Sequence, residues 1–280
     1  MKQGIDVSKW QPQIDWKKVK ADGIDFAIIR VGFCYNNGAL KLDSAFTQHI
    51  KGALAAGLDV GVYLYSYATT VQAARRAAQE VIKAVKPYKL TYPIAFDIEY
   101  ESIYTGGSKQ TNTEICKAFL EEVEQAGYYA MLYCSKDFLD SYLYPAQLTA
   151  YDKWIAQYAG KCTCKHPYGI WQYTGTGRVG GISGSVDRDI AYKDYPAIIA
   201  KMDKPQADKN LLYTVQVGAF ASAKSAADLY AKLDDMGYFV FFKNDALAKV
   251  CVGKFATQEE AQKTAGDLKK KGFGGFVNTI

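Results

Sequence analysis

The stretch Tyr92-Pro-Ile-Ala-Phe-Asp-Ile-Glu-Tyr100 decides the fold of the first two thirds of this chain. Side chains alternate along a β-strand, so one face carries Ala95, Asp97 and Glu99 while the other carries Ile94, Phe96 and Ile98. The apolar face suits packing against helices on the outside of a barrel. The polar face brings two carboxylates together near the carboxyl end of a strand, where the active sites of α/β-barrels are assembled.

Six further apolar runs in the first 200 residues predict β-strands: Ile5–Val7, Phe26–Val31, Val60–Tyr65, Ala130–Cys134, Lys153–Gln157 and Gly169–Tyr173. The segments between the earlier runs have helical periodicity and predict three long helices, Ser44–Ala56, Thr70–Val85 and Thr113–Ala126. Alternation of strands and helices at this length predicts an α/β fold, a TIM-like β/α barrel with parallel strands. Because the helical pattern weakens after Cys134, we expect the barrel to be irregular in its last third.

The last 70 residues contain an internal repeat. Val215-Gln-Val-Gly-Ala-Phe220 reappears as Val250-Cys-Val-Gly-Lys-Phe255, and the same offset pairs Ala226 with Ala261, Leu233 with Leu268, Gly237 with Gly272 and Phe241 with Phe276. Each copy is typical of strand, helix, strand, which predicts a small α+β domain of βαββαβ, ferredoxin-like topology with one sheet face open. The polar, proline-containing segment 202–210 predicts a linker, so we expect one domain over residues 1–201 and another over 211–280.

Length and composition agree with two soluble, folded domains and exclude several classes of protein. The chain has 280 residues, of which 49% are hydrophobic and 22% are charged, with a net charge of +5. Because no concentrated basic stripe occurs, we expect no nucleic-acid partner. No apolar stretch approaches the roughly 18 residues that span a bilayer, so we expect no membrane insertion. We also expect synthesis in the cytoplasm without a signal peptide and with reduced thiols, since the first strand starts at once and the six cysteines form no disulfide framework.

The two carboxylates Asp97 and Glu99 carry the chemistry of the central strand. Like charges on one strand face repel and resist desolvation, which raises the proton affinity of at least one of them. Glycoside hydrolysis uses such a pair, because an acid protonates the leaving oxygen while a carboxylate stabilises or attacks the sugar cation. Their Cα atoms are about 6.5–7 Å apart on a strand, which permits both retention and inversion. A metal site or a solvated strand end is the alternative for Asp-x-Glu alone.

Two further motifs extend this pattern to both ends of the predicted barrel. Gly4-Ile-Asp6-Val-Ser8, followed by Trp10-Gln11, places an acid at the end of the first strand. Trp171-Gln-Tyr173 and, after a glycine-rich loop, Gly184-Ser-Val186-Asp187 stand near the end of the domain. Taken in order with Asp-x-Glu, these motifs resemble glycoside hydrolase family 25, the muramidases of phage endolysins and bacterial autolysins, over about residues 1–200.

The resemblance implies specific roles for the acids. Glu99 corresponds to the general acid, and Asp97 to the neighbour that either positions the acetamido group of the substrate or stabilises the cation. Asp6 and Asp187 correspond to acids that shape the electrostatics of the site, with Asp189 the alternative to Asp187. The implied reaction cleaves peptidoglycan between N-acetylmuramic acid and N-acetylglucosamine without a cofactor. Chitin-like substrates, or a catalytically silent barrel that only binds glycan, are the alternatives.

Aromatic side chains on the predicted strands are candidates to line a sugar groove, because their flat apolar faces suit sugar rings. The candidates are Tyr63, Tyr65, Tyr133, Trp154 and Trp171, with Tyr65 and Tyr133 favoured. The resemblance also implies a biological setting. It fits a phage endolysin that waits in the cytoplasm for a holin-type pore, with a bacterial autolysin as the alternative.

Cys162-Thr-Cys164-Lys-His166 resembles part of a metal motif but lacks enough partners. A tetrahedral zinc site needs about four ligands, and the only other histidine, His49, falls in a predicted helix. With two histidines in the chain, nucleophilic serine or cysteine catalysis also lacks a convincing base. We therefore expect no metal and no cofactor, and interpret the two cysteines as thiols of a loop that is open to oxidation.

The repeat over residues 211–280 resembles the SPOR domain, a module that recognises glycan strands stripped of their stem peptides. The alternative is a structural domain with the same common fold, since fold alone does not define function. A wall-binding module beside a wall hydrolase raises the local concentration of the enzyme on its polymer. The partner that this pairing implies is the glycan strand of bacterial peptidoglycan; the oligomeric state does not follow from the sequence.

Overall fold

The computed structural model describes residues 1–101, 107–202, 212–244, 247–255 and 258–280. The chain forms two compact units, residues 1–204 and 205–280, and each has a hydrophobic core of its own. The linker predicted over residues 202–210 lies, except for Met202, outside the described residues.

The strands described in the first unit are β1 (Lys2–Val7), β2 (Phe26–Cys34), β3 (Leu40–Leu42), β4 (Asp59–Ser66), β5 (Ile94–Asp97), β6 (Ala130–Ser135), β7 (Asp152–Ala156), β8 (Ile170–Gly177) and β9 (Val186–Ala191). All except β3 form a closed barrel, because β1 pairs with both β2 and β9. Strand β3 pairs with the far end of β2 outside the ring. The barrel strands are parallel apart from β9, which runs antiparallel to both of its neighbours. The predicted α/β barrel is confirmed.

The helices described in this unit are α1 (Trp16–Ala21), α2 (Phe46–Ala55), α3 (Val71–Val85), α4 (Lys109–Gln125), α5 (Lys136–Tyr142) and α6 (Tyr195–Met202). The two longest begin at hydroxyl caps: Thr70 and Ser108 each accept a hydrogen bond from a backbone N–H of the first turn. Helix α4 therefore starts four residues before the predicted Thr113, because its first turn is polar and shows no apolar period. No described helix is both long and apolar enough to cross a membrane.

Two apolar layers enclose the barrel wall, and strand β5 shows how the sequence builds them. Ile94, Phe96 and Ile98 belong to the core between the barrel and its helices. Ala95 faces inward and joins a second cluster with Tyr63, Tyr133 and Trp154. The predicted alternation of this segment is confirmed, although strand pairing ends at Asp97.

The last third of the barrel is irregular, as predicted. Residues 157–169 and 178–185 connect β7 to β8 and β8 to β9 without a helix. Strand β9 is absent from the predicted strands. Its alternation is inverted, because Asp187 and Asp189 face the barrel interior, whereas strand prediction expects apolar side chains there.

The second unit has the predicted βαββαβ topology. Its elements are β10 (Tyr213–Phe220), α7 (Ala223–Asp234), β11 (Val240–Asn244), β12 (Ala248–Phe255), α8 (Gln258–Lys270) and β13 (Phe276–Thr279). The sheet has the order β11-β12-β10-β13 with all neighbours antiparallel, which is the ferredoxin-like arrangement. The repeat explains the core: Val215 and Val250, Ala226 and Ala261, and Leu233 and Leu268 are all buried in it. Gly237 and Gly272 follow the two helices with φ of +82° and +88°, which suits glycine at a helix end.

Candidate active site

A polar cavity of about 220 Å³ opens at the carboxyl ends of the parallel barrel strands. Its lining combines acids, aromatic rings and amides: Asp6, Val7, Ser8, Trp10, Gln11, Arg30, Tyr63, Tyr65, Asp97, Glu99, Tyr133, Trp154, Tyr158, Gln172 and Asp187. All four predicted acids and four of the five predicted aromatic residues lie here. A second cavity of about 290 Å³ shares Glu99, Tyr133 and Tyr158 with the first. The two cavities therefore form a groove that passes Glu99.

Asp97 and Glu99 form a closely interacting pair on the wall of this groove. Asp97 is the last residue of β5 and is buried, whereas Glu99 is half-buried. Burial raises the pKa of Asp97 well above its ordinary value, and the charge of Glu99 raises it further. Burial, followed by the charge of Glu101, raises the pKa of Glu99. The contact between the two carboxyl groups raises the pKa of Asp97 and lowers that of Glu99, and a hydrogen bond between two carboxyl groups requires a proton on one of them.

A second group of acids lies across the barrel on β1 and β9. Asp6 and Asp187 are opposite each other in the pairing of these strands, and Asp189 follows two residues later on the same face. Burial raises the pKa of Asp6 well above its ordinary value, with further contributions from the charges of Asp189 and Asp187. Burial also raises the pKa of Asp187, although this residue is half-buried and receives a hydrogen bond from Tyr158.

Both candidates for the last acid point into the barrel, at different depths. Asp187 lines the cavity. Asp189 is fully buried and accepts a hydrogen bond of 2.8 Å from Nε1 of Trp154. The structure therefore places Asp187 where a substrate can reach it and Asp189 beneath the cavity.

The side-chain amide of Gln172 connects the two sides of the site. Its Nε2 donates to Oδ2 of Asp6 at 2.7 Å. Its Oε1 accepts from the hydroxyls of Tyr133 at 2.9 Å and Tyr158 at 3.2 Å. The hydroxyl of Tyr158 also lies 3.4 Å from Oδ1 of Asp187. These hydrogen bonds fix the orientation of the amide and hold Asp6 in one position.

Arg30 supplies the positive charge in the lining of the cavity. Its Nε and Nη2 atoms are both 2.7 Å from Oδ2 of Asp43, a buried carboxylate that also accepts from the backbone N–H groups of Lys9 and Ala45. Arg30 opposes the increase in the pKa of Asp97. The cavity thus contains more acidic groups than one guanidinium can balance, which adds to burial in raising the pKa values of its carboxyl groups.

The aromatic residues occupy a floor and a rim. Trp154 and Tyr63 are buried, and the Trp154 ring packs edge-to-face against Tyr63 and Tyr133 at centroid distances of 5.9 and 4.4 Å. Trp10 and Tyr158 are 73% and 63% exposed at the opening of the cavity. These two rings are free to contact a sugar without rearrangement of the core.

Trp171 does not line either of these two cavities, and its role as a groove residue stays a prediction. Its Nε1 donates to the backbone carbonyl of Gln157 at 2.8 Å, and its ring packs against Tyr173. The physical reason is strand alternation: Gln172 points into the barrel, and Trp171 must therefore point out.

Sequence reasoning did not select Arg30, Tyr158, Gln172 or the buried position of Asp189. Arg30 interrupts the apolar run of β2, a signal that would have identified it. Gln172 stands inside a motif that was already noted. Tyr158 gives no such signal, because it lies on a loop and reaches the site only through the fold.

The predicted cysteine loop holds no metal-type cluster. Among the described residues, no group of three or more His, Cys, Asp or Glu side chains is arranged to hold a metal ion. His166 is 3.1 Å from Oδ1 of Asp140, and Cys162 and Cys164 are half-buried free thiols.

The open face of the second unit carries a row of side chains that crosses its four strands. Phe241 is opposite Cys251, Cys251 opposite Gln216, and Gln216 opposite Phe276. Their sequence neighbours Val215, Val240 and Val252 are buried beneath the helices, so alternation places the row on the uncovered side. Phe276 is 58% exposed. We call Phe241, Cys251, Gln216 and Phe276 the sheet row.

Paired carboxyls beside an aromatic-rich groove at the carboxyl ends of barrel strands are the arrangement typical of glycoside hydrolases. Residues 5–182 match the model of glycosyl hydrolases family 25, and the chain belongs to this family. Residues 212–279 match the model of the SPOR domain. Both recognitions made from the sequence motifs are confirmed.

Individual relatives agree with this family. Lysozyme M1 of Streptomyces globisporus is 27% identical over 200 residues, which cover 67% of this chain and 66% of that protein. The autolysin LytC of Streptococcus pneumoniae, solved with a synthetic peptidoglycan ligand, has a TM-score of 0.60 and 32% identity, covering 68% of this chain and 46% of LytC. The catalytic domain of endolysin Ply40 from bacteriophage P40 of Listeria monocytogenes has a TM-score of 0.59 and 26% identity, covering 71% of this chain and 97% of that domain. The chain thus spans less than two thirds of the length of lysozyme M1 and of LytC.

Proposed function

We propose that this protein is a peptidoglycan hydrolase, a lysozyme of the N-acetylmuramidase type. It cleaves the glycosidic bond between N-acetylmuramic acid and N-acetylglucosamine. The observation that carries the proposal is the Asp97–Glu99 pair, two carboxyl groups in contact, both with raised pKa values, beside an open groove. Membership of family 25 and the names of lysozyme M1 and the LytC complex support the substrate.

Glu99 is the general acid of the proposed reaction. It is the half-buried member of the pair and lines both cavities of the groove, so its carboxyl reaches a bound glycan more easily than that of Asp97. Glu99 donates its proton to the glycosidic oxygen as the C1–O bond breaks. The leaving sugar departs as an alcohol, and positive charge develops at C1.

Asp97 is a carboxylate at the moment when this charge forms. Once the proton of the pair has passed to the leaving group, Asp97 faces C1 directly or orients the substrate's acetamido oxygen toward it. A water molecule then adds to C1 and gives up a proton to Glu99, which restores one proton to the pair. Asp6 and Asp187 contribute negative potential on the opposite side of the site, which favours the cationic transition state.

Aromatic residues position the glycan in the groove. In the proposed complex, Trp10 and Tyr158 at the rim contact sugar rings through their exposed faces. Tyr65 and Tyr133 line the groove on either side of the acid pair, above a floor of Tyr63 and Trp154. Tyr133 is held by its hydrogen bond to Gln172, so its ring is oriented before substrate binds.

The second unit binds glycan strands in this proposal. Its open face carries the sheet row, in which the exposed ring of Phe276 lies opposite the buried Gln216 and the half-buried Phe241 stands at the other end. Flat rings beside hydrogen-bonding groups suit sugars, and the match of residues 212–279 to the SPOR domain supports a wall polymer as the ligand.

Product analysis tests the proposed reaction. Purified peptidoglycan is digested with the wild type, with Glu99→Gln and with Glu114→Gln, a matched control on the exposed side of α4. The products are reduced with borohydride, and the new ends are identified by mass spectrometry. Reduced muramic acid from the wild type and the control, but not from folded Glu99→Gln, is the expected result. Reduced glucosamine would show that the enzyme cleaves the other glycosidic bond of the glycan. The absence of new ends with any of the proteins would favour a catalytically silent barrel that only binds glycan.

The biological setting that we favour is a phage endolysin released through a holin-type pore, supported by the likeness to the Ply40 endolysin domain. A bacterial autolysin is the second candidate, supported by the likeness to LytC. Expression in a host with and without a co-expressed pore protein separates them. An endolysin lyses cells only when the pore is present, whereas an autolysin that is exported by another route acts without it.

A further inference from the structure

A third cavity, of about 830 Å³, lies beside helix α3 and takes no part in the proposed reaction. It is lined by the turn after β2, by the connection from β4 to α3, and by the first turns of α3. The lining residues are Asn36, Asn37, Thr69, Thr70, Gln72, Ala73, Arg75, Arg76 and Gln79. Because β2 and β4 are parallel neighbours, the two loops leave the barrel at the carboxyl ends of its strands, where the catalytic groove also opens. We call this space the α3 cavity.

Backbone contacts hold the walls of the α3 cavity in place. Gly38, with φ of +82°, brings its turn so close to α3 that a Cβ atom at this position would clash with the backbone carbonyl of Ala73. The backbone carbonyl of Asn36 accepts hydrogen bonds at 3.4 Å from both the backbone N–H and the hydroxyl of Thr69. The turn after β2 is thus fixed against the start of α3, and the cavity is formed before a ligand binds.

The lining of the α3 cavity suits a peptide that carries carboxylate groups. Four side-chain amides line it, and an amide both donates and accepts hydrogen bonds, as a peptide group does. Arg75 is held by Glu121 and Glu122, each at 2.9 Å. Arg76 is exposed and forms no ion pair with another described residue, so its guanidinium is available for a bidentate contact with a carboxylate. Among the described residues, the lining includes no acid that would repel such a ligand.

A path of aromatic rings joins the catalytic cavity to the α3 cavity. Tyr65 lines the catalytic cavity, and its ring packs against Tyr67 at a centroid distance of 5.2 Å. Tyr67 packs against Phe33 at 6.0 Å, and Phe33 packs against Tyr35 at 5.3 Å. Tyr35 directly precedes Asn36 of the α3 cavity and is 48% exposed, and Tyr67 is 39% exposed. The exposed rings form a surface between the two cavities on which sugar rings can stack.

We propose that the α3 cavity binds the stem peptide of peptidoglycan, the short peptide carried by N-acetylmuramic acid. The inference rests on the proposed function, because it requires a peptidoglycan strand in the catalytic groove. In the complex, Arg76 pairs with a carboxylate of the peptide, and the side-chain amides of the cavity bind its peptide groups. The exposed rings of Tyr67 and Tyr35 support the strand between the two cavities. The barrel then prefers strands with peptides, whereas the resemblance of the second unit to SPOR domains implies strands without them.

Steady-state cleavage of two soluble substrates tests the inference. Glycan strands that keep their stem peptides are compared with the same strands after an amidase has removed the peptides. We expect Arg76→Ala to raise KM about tenfold for the peptide-bearing strands, as the loss of one hydrogen-bonded charge contact does, and to leave kcat and the KM for bare strands unchanged. Because every variant contains the same second unit, its own binding of glycan cancels in this comparison.

Matched variants on the same helix make the test specific. Lys83→Ala removes an equal charge from an exposed position of α3 outside the cavity and should change neither KM. Gln72→Ala removes one amide of the lining and should raise KM about threefold for the peptide-bearing strands alone. Both Arg76 and Gln72 are exposed on a helix, where alanine is well tolerated. An Arg76→Ala variant with the same KM values as the wild type, or with equal increases for both substrates, would overturn the proposal.

A binding measurement without catalysis separates this inference from the proposed function. The free stem tetrapeptide, released from peptidoglycan by an amidase, is titrated into the wild type while backbone amide signals are followed by NMR. We expect signals of the α3 cavity, among them those of Gln72 and Arg76, to shift, and the shifts to be lost in Arg76→Ala. No shift at these residues in the wild type would overturn the proposal even if the enzyme cleaves glycan. Shifts in a wild type that cleaves no glycan would leave the peptide site in place and contradict the proposed function.

Discussion

The two units of this chain place their polar groups in opposite ways. In the barrel, Asp6, Asp97 and Asp189 are buried inside the ring of strands, where burial raises the pKa of each. In the second unit, no carboxylate is buried among the described residues, and the core is made of small apolar side chains. Its candidate binding residues lie instead on an uncovered sheet face. The barrel therefore contains acids that lower its stability when they are ionised, as functional sites often do, whereas the second unit contains no such buried acid among its described residues.

The largest expected effect concerns the acid pair of the barrel. Glu99→Gln removes the general acid and should lower kcat on soluble glycan fragments by about 10³-fold, within the usual range for such catalysis. Glu101→Gln is the matched control: Glu101 contacts the hydroxyl of Tyr65 at 3.1 Å but does not line either cavity of the groove, so less than about fivefold loss is expected in the same steady-state assay. Equal losses of activity in both variants would contradict the role of Glu99 as the general acid.

Removal of residues 205–280 tests the division of labour between the units. Without the second unit, activity on intact cell walls should fall by about 100-fold, because local concentration on the polymer is lost. Activity on small soluble fragments should stay unchanged, since the groove lies within residues 1–204. Parallel assays on both substrates measure the ratio. Loss of fragment cleavage by a folded barrel would contradict the separation.

A smaller effect is expected from the sheet row. Phe276→Ala should weaken the binding of denuded glycan strands by about tenfold, which corresponds to about 1.4 kcal/mol, because an exposed stacking ring is lost. Lys232→Ala on helix α7, on the covered side of the sheet, should leave binding unchanged. Co-sedimentation with peptidoglycan from which stem peptides have been removed measures both variants. Unchanged binding by Phe276→Ala would show that the glycan does not bind at the sheet row.

The pH dependence of stability also separates the two units. Aspartates whose pKa is raised by burial favour the folded barrel when protonated, so this contribution is complete below the unfolded value of about 4. It is lost as pH rises toward the higher pKa values of the folded state. The free energy of unfolding of the barrel should therefore fall by on the order of 2 kcal/mol between about pH 4 and pH 7.

Denaturant titrations across this pH range measure that slope. The second unit, which has no buried carboxylate among its described residues, should show a nearly flat profile and serves as the internal control. Asp189→Asn should flatten the profile of the barrel. A barrel profile as flat as that of the second unit would mean that its acids are ionised in the folded state.

Much of the fold followed from local pattern. The repeat of Val215 at Val250 predicted equivalent core positions, and Ile94, Phe96 and Ile98 predicted the outer face of β5, because in both cases burial follows strand or helix periodicity. Strand β9 was not predicted, because acidic side chains occupy its inward-facing positions where the pattern requires apolar ones. Prediction from hydrophobic patterns assigns charged residues to the protein surface. A functional site with buried acids does not follow that assumption.

Site residues that stand in sequence motifs could be predicted. Site residues that come together only in the folded chain could not. Asp6, Asp97, Glu99 and Asp187 stood in recognisable motifs, and the structure places all four around one cavity. Tyr158 comes from a loop and reaches Gln172 and Asp187 through closure of the barrel, a long-range consequence with no local signal. Trp171 lies outside the lining of this cavity because its neighbour Gln172 is the residue of the motif that faces inward.

The pH profile of Asp97→Asn on soluble glycan fragments tests the central claim most directly. If Glu99 is the protonated member of the pair in the active enzyme, as the proposed reaction requires, the negative charge of Asp97 helps to hold that proton at neutral pH. Asparagine removes the charge, so the alkaline limb of kcat/KM should move to lower pH by about one unit or more, as expected for strongly coupled acids. An alkaline limb at the same pH as in the wild type would contradict the account, because Glu99 would then hold its proton without help from Asp97.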